Sequence, residues 1–316
     1  MRTDDSAIAQ RRVAVRSGSL LAALGVLAFS TTFPATAWAL EAFGPWSITA
    51  LRCGVAGLLA LWCLRLARAP FPGRDRWPGI LVVAVGCVVA FPLFSTLALQ
   101  TSSTSHAAVV IGALPLATAA IGAARARTGL SRTFWAAALT GAAAVTGFTL
   151  LSSGGRPEAG DLYLFGGLVL CAAGYAEGGR LAGCMPGWQV ISWALVVSLP
   201  ATVPAMAISL AVEPVHLTTA GLAAVGYLAV VAQFAGFVAW YRGMALIGVA
   251  RASQLQLAQP LLTLVWAVLL VGEQPSIAAP LTAVVVLGCI AVTQRSGAVP
   301  TRRRGAEESP APRVPG

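Results

Sequence analysis

No lysine occurs anywhere in the 316 residues, and only 11 residues are acidic. Without lysine there is no phosphate-binding glycine loop of the kind that powers an ATP-driven pump, so no such pump resides within this chain. Charged residues of both signs make up 10%, against about 25% in soluble globular domains, whose surfaces need them. HExxH and GxSxG are absent, and the two histidines and six cysteines show neither CxxC spacing nor a histidine cluster. Enzymatic chemistry, metal and cofactor are therefore not expected. Cys53, Cys63, Cys87, Cys171, Cys184 and Cys289 read as small apolar fillers.

What the chain does have is apolar length: 57% of it is hydrophobic and its mean hydropathy is +0.79. A bilayer's hydrocarbon is about 30 Å thick and a helix rises about 1.5 Å per residue, so each crossing needs about 20 mostly apolar residues. Ten stretches qualify, at about 19–40, 47–67, 78–99, 104–124, 132–151, 161–183, 189–211, 218–240, 247–270 and 276–293. Short connections rich in Pro, Gly and charge separate them. The short alternating segments of a β-barrel are absent. The expected fold is an all-α integral membrane protein with ten transmembrane helices.

All 21 basic residues are arginine, and their positions orient the chain. With a cytoplasmic N-terminus, Arg65, Arg68, Arg74, Arg76, Arg125, Arg127, Arg132, Arg180, Arg242 and Arg251 fall inside with both basic tails, and Arg156 alone falls outside. This predicts a multi-pass inner-membrane protein with both termini cytoplasmic. The net charge of +10 then expresses topology and attraction to anionic lipid headgroups. No basic domain stands apart, so no nucleic-acid partner is expected. Arg11, Arg12 and Arg16 before an apolar run and Ala35-Thr36-Ala37 also fit a cleaved signal. That run is too long for a signal core, however, and cleavage would leave nine crossings. The domains expected are a tail over 1–18, five-helix units over 19–151 and 161–293, and a tail over 296–316 too polar to bury a core.

Pro115 and Pro260 stand 145 residues apart, each inside an apolar stretch, and that shift also pairs Ala107 with Ala252, Ala113 with Ala258, Leu116 with Leu261, Thr118 with Thr263 and Ser131 with Ser276. It maps the fourth helix onto the ninth. Halves of five crossings enter the membrane from opposite sides, so the repeat is inverted, the arrangement that opens a central site to either face in turn. Each proline lies nine residues after His106 or Arg251, roughly 13 Å and thus near the midplane. Each displaces the carbonyl four residues back, on Ile111 and Gln256. A kink satisfied by neighbouring helices and a kink lining a solute cavity are both compatible with this.

The stretch MALIGVARASQLQLAQPLLTLVWAVLLVGEQPS closely resembles the signature region of EamA-type transporters of the drug/metabolite transporter superfamily. LAFSTTFPATAWALEAFGPWSITALRCGVAGLLALW and LALQTSSTSHAAVVIGALPLATAA resemble the family's first two helices and its third-to-fourth junction, so the likeness covers about residues 20–293. The resemblance implies two inverted five-helix repeats and export of small metabolites or drugs, often amino acids or their derivatives. In one respect the chain departs from the family. Glu273 stands thirteen residues after Pro260, where the family has an acidic residue, but Thr128 holds the matching place after Pro115.

Few side chains are left to handle a polar solute. Gln256 and Gln259 share a helix face at i and i+3 beside Gln254, and Gln100 and Gln233 add further amides. These suit a zwitterion or a neutral polar solute, or else hydrogen bonds between helices. Trp38, Tyr175, Trp240 and Tyr241 could wall a cavity or anchor helix ends at the membrane interface. Glu177 is the candidate for proton or cation coupling, with an ion pair to Arg180 at i+3 as the plainer reading. Arg52 is expected to pair with Glu41 or to capture an anionic group on the substrate, and His106 to be capped by the TSSTS run. The expected partners are a small-molecule substrate, the lipid bilayer and protons, and a homodimer is compatible with the sequence.

Overall fold

Hydrocarbon offers no hydrogen bonds, so every backbone N–H and C=O in a membrane-embedded chain must be satisfied by the protein itself. Helices meet that demand locally. In the computed structural model, which describes residues 2–126, 131–152, 158–247, 255–256 and 258–295, the described residues are helical apart from short loops and one isolated bridge between Phe43 and Val215. The helical segments are α1 (Arg2–Ser30, resumed after Thr31 as Thr32–Leu40), α2 (Pro45–Leu66), α3 (Arg74–Ala98), α4 (Thr104–Arg125), α5 (Arg132–Ser152), α6 (Ala159–Ala182), α7 (Gly187–Val212), α8 (Thr219–Ile247), α9 (Ala258–Val271) and α10 (Ala278–Arg295). Among the described residues, seven of them (α1 from Val15, α2, α3, α4, α6, α7 and α8) are long and apolar enough to cross a membrane. The apolar parts of α9 and α10 are shorter.

Most segments follow the expected stretches within a few residues, but the amino terminus differs. The first residues, expected as an irregular tail, are helical from Arg2. No Gly or Pro interrupts residues 2–17, and Asp4 and Asp5 sit in the first turn, where the helix dipole favours negative charge. The tail expected at 296–316 lies outside the described residues, as do Arg127, Thr128, Arg156, Arg251 and Gln254.

Helix pairing carries the repeat into three dimensions. α2 packs on α7, α4 on α9 and α5 on α10. α1 packs on α8 as α3 packs on α6, and α4 meets α6 as α9 meets α1. Exchanging the first five segments with the last five turns this set of contacts into itself. The backbone follows the same rule, because α3 widens into a π-helix at Ala84–Ala90 and α8 does so at Tyr227–Ala235. Shifted by 145 residues, the first lies within the second.

Lipid gives helices little hydrophobic reason to associate, so close backbone approach and van der Waals contact hold them together. A Cβ on Gly243 of α8 would lie 2.6 Å from the Ala22 nitrogen and 2.8 Å from the Gly18 oxygen of α1. One on Gly86 of α3 would lie 2.2 Å from the Leu170 oxygen of α6. The mirrored pairs α1–α8 and α3–α6 thus each meet backbone to backbone. On the outside, Leu20, Trp62, Leu139, Leu162, Ile208 and Leu281 are exposed, as suits a surface whose solvent is hydrocarbon.

Gly243→Val should lower the thermal midpoint of the detergent-purified protein and the yield of monodisperse material, at about 1–3 kcal/mol for overpacking. Gly226→Ala, where a Cβ meets nothing within 4 Å, should leave both unchanged.

Candidate functional site

Pro115 follows a break in its helix, and Pro260 of α9 packs against that break. α4 loses helical geometry at Gly112 and Ala113, between Thr104–Ile111 and Leu114–Ala126. Gly112 faces α9 so closely that an added Cβ would touch the Pro260 Cβ at 3.5 Å. Beside the break lies a cavity of about 10 Å³ lined by Phe33, Ile111, Pro115, Gln256, Gln259 and Pro260, among others. That is room for about one water molecule. Gln256 is buried with its Nε2 donor unpartnered, while Gln259 is half-buried. The structure therefore brings Pro115, Pro260, Gln256 and Gln259 together.

Arg52 lies in α2, 3% exposed, and its Nε donates to Gln233 Oε1 at 2.7 Å. Gln233 Nε2 in turn donates to the Cys87 carbonyl at 3.3 Å, and Cys53 Sγ donates to the Val88 carbonyl at 2.9 Å. A π-helix leaves carbonyls without their usual helical donors, and here side chains of α8 and α2 take them up. The expected Arg52–Glu41 pair does not form, because Glu41 ends α1 in an exposed position while Gln233 is fully buried beside the guanidinium.

Aromatic rings continue this interior. Phe237 stacks with Phe29 at 4.8 Å, Tyr241 at 5.9 Å and Tyr175 at 6.0 Å between centroids, and Trp240 meets Phe29 edge-on at 6.4 Å. Tyr175, Trp240 and Tyr241 are buried, not interfacial, and Trp240 Nε1 and Tyr241 Oη have no hydrogen-bond partner. Trp38 is half-buried beside Tyr227 in a separate groove. Gln100 is exposed just beyond the end of α3, where its amide leaves the helix bundle, so it takes no part in the kink cluster.

Glu177 is buried near the end of α6 and forms ion pairs with Arg125 and, at 2.9 Å, with Arg180. Elsewhere carboxylates close helix N-termini. Glu273, in the loop after α9, accepts from the Thr104 and Ser105 amides at 2.7 and 2.9 Å and from the Ser105 hydroxyl at 2.7 Å. Glu213 accepts from the Trp46 and Ser47 amides at 3.2 and 2.7 Å, and beside it the His216 amide donates to the Ala42 carbonyl at 2.8 Å. His106 is capped through its amide by Ser103 and holds Asp161 by its ring at 2.8 Å. A polar cavity of about 450 Å³ lies among Ser105, His106, Glu158 and Glu273. Among the described residues, no three His, Cys, Asp or Glu gather to hold a metal.

Gln233, Glu213 and Asp161 are the residues whose roles sequence reasoning missed. Gln233 had a signal, a lone amide in an unbroken apolar run. Glu213 and Asp161 had none, since Glu213 accepts from backbone amides more than a hundred residues away and Asp161 pairs with a histidine ring on another helix.

With this geometry in place, comparison with known proteins gives consistent results. The profile of the EamA-like transporter family matches residues 16–150 and again 158–294. The uncharacterized transporter YdeK of Bacillus subtilis (strain 168) is 40% identical over 275 residues, covering 86% of this chain and 95% of that one. A solved crystal structure is similar over 88% of this chain and 98% of its own, with a TM-score of 0.62 at 22% identity, a likeness of fold.

Glu273→Ala removes three acceptor contacts from the α4 N-terminus. It should reduce stability by about 1–2 kcal/mol, read as a lower thermal midpoint, and Glu273→Gln should recover part of the loss.

Proposed function

The chain belongs to the EamA-like transporter family, and from that premise we propose that it is a secondary transporter exporting small metabolites, such as amino acids or drug-like compounds, across the inner membrane. In this reading α5, α9 and α10 also cross the membrane, which gives ten passes in two inverted repeats with both termini cytoplasmic. The observation that carries this reading is the exchange symmetry of the helix pairs, with Pro260 of α9 packed against the break in α4. Two like halves around a shared break can trade conformations and present the break to one face and then the other. Such rocking requires contacts that can part. The Glu213 and Glu273 clasps, which join loops of the second half to helix N-termini of the first, are of that kind.

Facilitated movement without ion coupling is favoured by one specific observation. Glu177, the candidate for proton coupling, is already committed to ion pairs with two arginines. We therefore expect solute flux to ignore a pH gradient. In proteoliposomes, accumulation driven by that gradient would reinstate the coupled mechanism.

Counterflow of labelled amino acids by the reconstituted full chain tests the transport reading. Flux is expected, with Gln256→Leu reducing it at least about tenfold, the worth of one good hydrogen bond to a charged group, and Ile111→Val changing it less than about twofold. Absence of flux for every solute in a broad panel, or equal effects of the two substitutions, would refute it.

A further inference from the structure

Arg52 stands seven residues into α2, about 10 Å from the helix start. A guanidinium withdrawn from water is costly unless an anion and hydrogen bonds replace its hydration. Among the described residues the carboxylates nearest the bundle interior are already committed: Glu177 to Arg125 and Arg180, Asp161 to His106. Gln233 satisfies only Nε, and does so with a neutral amide oxygen. The other end of that amide is tied to the Cys87 carbonyl, so the oxygen is held towards Arg52. Nη1 is buried with no hydrogen-bond partner. The site thus holds a full positive charge, one oriented neutral neighbour, a free donor and no resident counter-ion.

A purely structural arginine would be better served by glutamate at position 233, which has the shape of glutamine and supplies the missing charge. Glutamine keeps the guanidinium positioned and leaves its charge open. One turn further along α8, Phe237 packs against Tyr175 and Tyr241, and the Tyr241 hydroxyl is also buried and unpartnered.

We infer that Arg52 is the anchor for a carboxylate on the transported solute, with Nη1 donating to the anion while Gln233 holds the guanidinium through Nε. The solutes are then organic carboxylates with an apolar or aromatic body that fits beside Phe237, Tyr175 and Tyr241. The inference rests on the transport reading only in calling the bound anion cargo.

Thermal unfolding of the full-length protein in detergent tests it with phenylacetate, 2-phenylethanol and sodium chloride at matched ionic strength. Phenylacetate should raise the midpoint in a saturable manner, the alcohol and chloride should not, and Arg52→Gln should weaken the apparent affinity for phenylacetate at least about tenfold. Gln233→Glu, which installs a carboxylate beside Arg52, should raise the midpoint of the unliganded protein and abolish the response to phenylacetate. That variant keeps the test decisive even if Arg52→Gln does not fold. The inference is overturned if phenylacetate has no effect, if chloride or the alcohol stabilises equally, or if Gln233→Glu is destabilised and still responds to phenylacetate. Arg52-dependent stabilisation without flux of any labelled solute would leave the anion site standing and remove the transport reading. Flux inhibited as strongly by neutral analogues as by carboxylates would do the reverse.

Discussion

Hydrocarbon cannot hydrogen-bond, and several departures from regular helix in this chain are matched by a side chain that repairs them. Pro34 displaces the carbonyl of Ser30, and Thr263 Oγ1 of α9 donates to that oxygen at 2.8 Å. Where α1 pauses at Thr31, Tyr227 of α8 donates to the Ala28 carbonyl at 3.0 Å and contacts the Thr31 hydroxyl. The π-helix of α3 is repaired by Gln233 and Cys53, and the N-termini of α2 and α4 by Glu213 and Glu273. All but Cys53 come from the second half of the chain. Repeat symmetry governs how the helices pack, but the polar side chains that complete the backbone are distributed unevenly.

This unevenness bears on transport. A break repaired by the opposite half is a tie between halves, and a tie with few hydrogen bonds at an aqueous end can be exchanged for water at low cost. Glu213 and Glu273 sit on loops at helix ends, where water can substitute for them. The ties to Ser30 and Cys87 lie among buried side chains, where nothing can. On the proposed transport cycle the loop clasps are the parts free to open, and the buried repairs are the parts a hinge must preserve. The cavity between Pro115 and Pro260 has room for about one water molecule. A solute larger than water requires α4 and α9 to separate there.

Much of this was legible in the sequence because lipid imposes simple rules. Apolar length located most of the helices, and the 145-residue interval singled out Pro115 and Pro260, which line one small cavity together with Gln256 and Gln259. What could not be read was pairing across the bundle. Arg52 has Glu41 as a near neighbour in sequence but Gln233, 181 residues away, as its partner in space. Gln100 resembles the other amides in composition, yet lies just past a helix end and is exposed. The π-helices leave no mark in hydropathy, since widening a turn changes the hydrogen-bond register and not the composition.

On the proposed transport cycle two pseudo-equivalent halves move against each other, with the Glu273 clasp parting as they do. Spin labels at Thr101 and Gln274, which flank the cavity beside that clasp, report it directly by pulsed electron resonance in a background lacking the native cysteines. Two distance populations are predicted in lipid nanodiscs, with Glu273→Ala shifting weight to the longer one. A single distance, unmoved by Glu273→Ala, would rule this motion out.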